Sequence, residues 1–154
     1  MLEFEKITVL LSDCRCLHDL TSLVSQAARR IVGADGATFV LRKGDMVHYV
    51  DEDAFAPLWK GKIFPASACV SGHALLNHTD VIVPDIAEDP RIPTELYRPT
   101  FVKSLAITPI GNGAARGAIG AYWKKYHQAT TSEMAKLHRL AEMADSVLER
   151  LPDH

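Results

Sequence analysis

The sequence predicts an α+β domain, and three observations lead to that fold class. Apolar residues recur at helical spacing near both ends of the chain, within residues 17–32 and 134–151. Between these ends lie two pairs of β-rich segments joined by short turns, the pattern of β-hairpins. Residues 67–123 read as helix, strand, long loop, strand, turn and strand. Because connections between buried strands are usually short, the long loop favours a binding role.

Composition and charge exclude several classes of function. The chain has 154 residues, of which 47% are hydrophobic and 23% charged, and its formal net charge is −2. These values fit one globular domain with a real core. No basic block stands out, so nucleic acid is not an expected partner. No apolar run approaches the ~20 residues of a membrane helix, so no membrane span is expected.

Cysteine usage predicts a cytoplasmic location. Three cysteines without a secretion signal fit a reducing compartment, and an odd count argues against a disulfide scaffold. Cys14, Cys16 and His18 are three soft ligands close in sequence. A structural zinc site uses four ligands, usually from two clusters, and no second cluster is visible. We therefore interpret this segment as the start of a helix and predict no metal site.

The N-terminal third begins with helical patterns. A stripe that spans residues 17–32 ends at Gly33 and Gly36. Upstream, Phe4, Ile7 and Leu11 share helical spacing, as either a separate helix or a continuation of the next one. The predicted layout is a helical lead-in over residues 1–16, one domain over 17–151 and a tail over 152–154.

The other elements follow in order. They are strands 37–41 and 46–50, a short strand 62–65, a helix 68–77, a strand 81–83, a short helix near 94–97, and strands 102–110 and 116–124. Ser67 is the expected N-cap of the helix 68–77. The last helix starts at Thr130, which forms a capping box with Glu133.

This order, together with four segments, resembles a GAF domain. The segments are residues 34–38, 83–86, 103–110 and 116–123, and the likeness covers residues 17–151. The nearest likeness is to GAF modules of bacterial sensor histidine kinases. These often carry a similar Pro-Leu-Trp-Lys-Gly, here residues 57–61, ahead of a similar Ala-Cys-x-Ser-Gly, here residues 68–72.

The resemblance implies a PAS-related central antiparallel sheet of five or six strands. Terminal helices would cover one face, and short helices and loops would enclose a pocket on the other. It further implies a non-catalytic sensory module of a two-component signalling protein that binds an unidentified small molecule. Family members bind cyclic nucleotides, bilins, haem or small metabolites, and others serve as dimerisation struts. For this chain, a GAF-fold free methionine sulfoxide reductase is the enzymatic alternative, and a ligand-free dimerisation strut is the other.

Sequence departures weigh against three of these chemistries. The reductase needs two pocket thiols, and no cysteine follows Cys69. Covalent bilin is not expected, because Val70 rather than His follows Cys69 and residues 85–101 hold no cysteine. The Asn-Lys-x-Asp-style signature of cyclic-nucleotide GAF domains is also missing. No catalytic residue is therefore predicted, and no motif identifies a ligand or cofactor.

The candidate ligand-binding residues combine aromatic and polar side chains around the long loop. They are Trp59, Phe64, Cys69, His73, Asp85, Tyr97, Phe101, Ser104 and Thr108. Alternation places Ser104, Ala106 and Thr108 on one face of their strand, and this small-residue face is the expected pocket wall. Helix 68–77 and loop 85–101 would form the other walls. The alternatives are that Cys69 is a small buried hydrophobe and that Tyr97 and Phe101 cap the sheet.

The apolar stripes near the two termini predict a homodimer. The stripes lie within residues 4–11 and 134–151. The resemblance places both helices on one side of the sheet, and helices that flank signalling GAF domains often pair across a two-fold axis. Burial of these stripes between protomers would provide the driving force.

Overall fold

A six-stranded antiparallel sheet forms the centre of the structure, a computed structural model that describes residues 2–151. In chain order the elements are α1 Leu2–Ser12, α2 Leu17–Ile31, β1 Gly36–Lys43, β2 Met46–Ala54, β3 Ile63–Pro65, α3 Val70–Asn77, β4 Val81–Val83, α4 Thr94–Tyr97, β5 Ser104–Ile110, β6 Gly117–Trp123 and α5 Thr131–Arg150. The strand order is β3-β2-β1-β6-β5-β4. The predicted α+β architecture with an antiparallel sheet is confirmed.

The two faces of the sheet carry separate hydrophobic cores. On the helix face, α2 and α5 pack on strand residues that include Phe39, Ala106 and Trp123, and α1 packs on α2 and α5. On the loop face, α3, α4 and the connecting loops cover strand residues that include Leu105 and Tyr122. Terminal helices on one face and loops on the other were predicted, and the structure has this arrangement. None of the described helices is both long enough and apolar enough to span a bilayer.

The N-terminal segment forms a separate helix, α1, that belongs to the helix-face core. Phe4, Ile7 and Leu11 are all buried inside the protomer. The Arg150 guanidinium donates to the Leu11 and Cys14 carbonyls, both at 3.0 Å, and so joins the end of α5 to the end of α1. Met1 and residues 152–154, the predicted tail, lie outside the described residues.

The apolar stripes expected to drive homodimerisation are buried inside a single protomer. The stripe residues of α5, from Met134 to Leu148, are buried against the sheet and α2. Those of α1 are buried against α2 and α5. Apolar area that is already buried provides no further driving force for association. Within residues 3–12, the large apolar side chains of α1 that remain exposed to solvent are Val9 and Leu10, 62% and 52% exposed. A dimer through α1 would have to use this smaller surface.

The start of α3 differs from the prediction. The chain makes a 3-10 turn over Ala66–Ala68, and α3 begins at Val70 with Cys69, not Ser67, as its N-cap. The Cys69 sulfur accepts from the Gly72 N–H at 3.4 Å. The local sequence pattern does not predict this 3-10 turn, because the turn depends on a close approach of Ala66 to Gly72. The capping box of α5 forms as predicted.

Candidate small-molecule site on the loop face

Five aromatic rings fill the middle of the loop face. Trp59 is central, with ring centroids 4.9 Å from Tyr97, 5.4 Å from Tyr122 and 5.5 Å from Tyr49. Phe64 packs edge-on against Tyr49 at 5.7 Å. Of the predicted binding residues, Trp59, Phe64 and Tyr97 therefore come together, but as a packed cluster. We call these five rings the aromatic cluster.

The tyrosines of the aromatic cluster stay neutral. Burial raises the pKa of Tyr49 and of Tyr97 well above the ordinary value for tyrosine. The Tyr49 hydroxyl donates to Ser71 on α3 at 3.1 Å. The Tyr122 hydroxyl lies 3.2 Å from Thr38 Oγ1. Tyr49 and Tyr122 thus act as apolar bodies with a satisfied polar tip, which is how buried tyrosine usually behaves.

Glu52 on β2 positions the central ring. Its carboxylate accepts hydrogen bonds from the backbone N–H groups of Leu58, Trp59 and Lys60, each at 2.9 Å. The Trp59 indole then donates to the Leu96 carbonyl of α4 at 3.0 Å. Glu52 was missed by sequence reasoning, because its partners are backbone groups six to eight residues away that no side-chain motif marks.

A groove of about 510 Å³ lies between the start of α3 and the loop after β4. Its volume is within the range of small-molecule pockets. We call it the α3 groove, and it is lined by Ser67, Ala68, Cys69, Val70, His73, Val81, Arg91, Ile92 and Pro93. Two predicted binding residues, Cys69 and His73, lie in it. Arg91 was missed, since a single arginine in a Pro-rich loop carries no sequence signal.

Cys69 is a poor nucleophile in this position. Burial raises the pKa of its thiol and outweighs the N–H donation from Gly72, which acts in the opposite direction. Cys14 lies in the helix-face core, and Cys16 is exposed between α1 and α2. Within residues 2–151, Cys69 therefore has no second thiol on its own face of the sheet.

Asp85 and Phe101 hold the ends of the long loop. Asp85 accepts from the Ala87 N–H at 3.0 Å and pairs with Lys103 at 3.2 Å, and these contacts, the first foremost, lower the pKa of its carboxyl. The Phe101 ring packs edge-on against Phe55, with centroids 5.7 Å apart. Neither predicted binding residue lines the α3 groove.

Ser104 and Thr108 lie on the opposite side of the sheet from the expected pocket. Ala106, between them, belongs to the helix-face core, whereas Leu105 and Ile107 face the loops. The predicted alternation is present, but its direction is reversed. Small side chains let α5 approach the strand closely, while Leu105 and Ile107 fill the wider space under the loops. The predicted pocket wall is therefore wrong.

Ser104→Trp is expected to destabilise the protein rather than only to displace a ligand. Ser104 has no exposed surface and donates to the Lys125 carbonyl at 2.7 Å. Overpacking a filled core costs about 1–3 kcal/mol or more. Urea denaturation measures the loss, with Ile63→Trp at an exposed site on β3 as the matched control. Unchanged stability of Ser104→Trp would contradict the burial described here.

A second cavity, of about 530 Å³, lies on the helix face between the β4–β5 edge and α5. Asp80 joins its walls, because one carboxylate oxygen accepts from Thr108 at 2.8 Å and the other lies 2.6 Å from His138 Nε2 on α5. Asp80 directly precedes Val81, which lines the α3 groove. One wall of the groove is thus tied to α5 on the opposite face.

The described part of the chain contains no cluster of three potential metal ligands. Nowhere between residues 2 and 151 do three His, Cys, Asp or Glu side chains converge on a common point. Cys14, one of the three soft ligands noted in the sequence, is buried and donates to the Leu10 carbonyl at 3.7 Å.

Residues 17–147 match the family model of the GAF domain. The chain belongs to the GAF family. The matched range includes α2, the whole sheet and most of α5. No curated protein matches the chain.

Solved structures share this GAF fold at low sequence identity. The GAF domain of an Acinetobacter phosphoenolpyruvate-protein phosphotransferase superposes with a TM-score of 0.84 at 12% identity, covering 96% of this chain and 91% of that one. A free methionine-R-sulfoxide reductase from Neisseria meningitidis, in complex with its substrate, gives 0.79 at 17% identity, with coverage of 94% and 85%. A methyl-accepting chemotaxis protein gives 0.79 at 16% identity, with coverage of 97% and 98%. These identities show a common fold alone.

Proposed function

We propose that this GAF domain is a non-catalytic regulatory module of a bacterial signalling protein and that it senses a small molecule bound in the α3 groove. The observation that carries the proposal is the groove itself, beside an interior that aromatic side chains already fill. Its lining of apolar residues with a few polar groups is typical of small-molecule sites. The phosphotransferase and chemotaxis-protein neighbours support a regulatory role.

The link from the α3 groove to α5 supports sensing. A bound molecule changes a protein's conformational equilibrium only through different affinities for two states. In this proposal the molecule contacts Val81, and Asp80 relays the resulting shift of β4 to His138 on α5. The signal would leave the domain through α5.

A cytoplasmic sensor histidine kinase of a two-component system is our proposed parent protein. The support is the resemblance of residues 57–61 and 68–72 to such modules, with a domain that spans residues 17–151. Both segments have a structural role. Glu52 positions Trp59 of the first segment, and Gly72 of the second segment allows the close approach to Ala66 at the start of α3. Homodimerisation through the terminal helices remains part of the proposal, and sedimentation velocity at high micromolar protein tests it.

Native mass spectrometry of the purified protein, before and after denaturation, tests the sensing proposal. We expect a small mass that remains bound in the native protein and is lost on denaturation. Ala68→Trp fills the α3 groove and should remove that mass, whereas Leu76→Trp, at a half-exposed position on α3, should retain it. A bound mass that survives Ala68→Trp, or no bound mass in any preparation, would reject the groove as the site.

The protein is expected not to reduce free methionine sulfoxide. Reduction needs a reactive thiolate and a resolving thiol, but burial raises the pKa of Cys69 and the described residues place no second cysteine near it. A coupled assay with a thioredoxin recycling system measures turnover. Turnover above background that Cys69→Ser abolishes would overturn the non-catalytic assignment.

A further inference from the structure

The lining of the α3 groove is apolar with one charged side chain, Arg91, and it includes no carboxylate. Ala68, Val70, Val81, Ile92 and Pro93 provide the apolar surface, and Ser67, Cys69, His73 and Arg91 provide the polar atoms. Such a lining favours a molecule that has one anionic group and an apolar remainder.

Arg91 is held in place with part of its guanidinium free. Asp89 accepts from Arg91 Nε at 3.0 Å and from Nη2 at 2.6 Å, and it also accepts from the Arg91 backbone N–H at 2.9 Å. Nη1 has no hydrogen-bond partner among residues 2–151, and the side chain remains 46% exposed. The Nη1–Nη2 edge is the planar fork that pairs with a carboxylate. Because Asp89 already orders the guanidinium, a ligand would lose little affinity to side-chain ordering.

His73 provides a second donor at the same groove. The Asn77 side-chain nitrogen donates to the His73 carbonyl at 2.9 Å and lies 3.3 Å from His73 Nδ1. An amide nitrogen only donates, so Nδ1 accepts and the ring proton lies on Nε2. In the described part of the chain, this Nε2–H has no partner. His73 and Arg91 both line the α3 groove.

We propose that the α3 groove selects a small organic carboxylate with an apolar tail, an inference that rests on the proposed sensory function. The carboxylate pairs with the free edge of Arg91 and accepts from His73 Nε2–H. The tail lies against the apolar wall that includes Val70 and Ile92. An amine is disfavoured because the groove lining includes no carboxylate to pair with it. An amino acid is disfavoured because its ammonium group has no free carboxylate to pair with, since Asp89 is already paired with Arg91.

Titration of the full chain with pentanoate, followed by NMR or calorimetry, tests this assignment. We expect saturable binding of pentanoate that is at least tenfold tighter than binding of pentan-1-ol, pentylamine or norvaline. Arg91→Gln should weaken pentanoate binding about tenfold or more, since hydrogen bonds to charged groups are the strong ones. Arg98→Gln is the matched control, because Arg98 pairs with Glu95 on α4 and does not line the groove.

Three results would overturn the inference. They are equal binding of pentan-1-ol and pentanoate, an equal loss in Arg98→Gln and Arg91→Gln, and inorganic phosphate binding as tightly as pentanoate. Circular dichroism of both arginine variants confirms that they are folded before affinities are compared. If native mass spectrometry finds a bound molecule without a carboxylate, the sensory proposal stands and this inference fails. If no mass is bound and pentanoate does not bind, both fail.

Discussion

Gly72→Ala is expected to destabilise the protein by more than about 3 kcal/mol. Helix propensity alone predicts the opposite, because it favours alanine over glycine by about 1 kcal/mol. A Cβ atom at Gly72 would lie 1.8 Å from the Ala66 carbonyl oxygen and 2.5 Å from the carbonyl carbon. These are backbone atoms, so relief requires α3 to move away from the turn over Ala66–Ala68. That movement would deform the α3 groove as well as the loop-face core.

Urea denaturation of Gly72→Ala and Gly113→Ala provides the comparison. Gly113 has a φ of +76° in the β5–β6 turn, and a Cβ there would meet nothing within 4 Å. Its replacement should cost roughly 1 kcal/mol, from backbone strain alone. Equal stability losses for the two variants, or a stabilised Gly72→Ala, would mean that Ala66 and Gly72 are not in close contact.

Trp59→Ala is expected to lower the free energy of unfolding by about 3–5 kcal/mol. The substitution removes the ring that contacts Tyr49, Tyr97 and Tyr122, and it leaves the Leu96 carbonyl without its indole donor. The cavity that remains has the shape of an indole. Added indole should therefore restore part of the lost thermal stability, as apolar cavities take up molecules that match the deleted side chain.

Phe55→Ala is the matched control for Trp59→Ala. The Phe55 ring also contacts an aromatic neighbour, Phe101, but it is 60% exposed. Its loss should cost less than about 1 kcal/mol, because most of its surface is already in water. Comparable losses at the two positions, or no response of Trp59→Ala to indole, would contradict a central role of Trp59 in the loop-face core.

Most elements of the fold could be predicted because their determinants are local. The bounds of β4 and α4 follow from β-branched residues and from the prolines that surround them. The capping box of α5 needs only Thr130 and Glu133, three residues apart. The GAF order of these elements then indicated which sheet they form.

The face that β5 presents to the pocket was beyond local reasoning. Alternation separates Ser104 and Thr108 from Leu105, but both sets are buried, so burial alone does not say which set faces α5. The direction is decided by long-range packing, where the small side chain of Ala106 admits α5. Amphipathic strands do not have this ambiguity, because only one of their faces is apolar.

Sequence reasoning predicted only some of the residues of the candidate site. Cys69 and His73 lie in the α3 groove because they share the start of a helix that the sequence marks clearly. Arg91 and Glu52 were missed because their roles depend on partners brought close by the chain fold, namely the groove and the backbone of residues 58–60. Isolated charged residues in loops give no periodic or motif signal.

The most direct test of ligand sensing is a comparison of ¹H–¹⁵N spectra of the protein as purified and after denaturation, dialysis and refolding. We predict amide shift differences concentrated in residues 67–73, 81, 91 and 92, with a second group on α5 around His138. Differences confined to the helix-face cavity around Glu142 and Asp145, or superimposable spectra, would contradict a regulatory small molecule in the α3 groove.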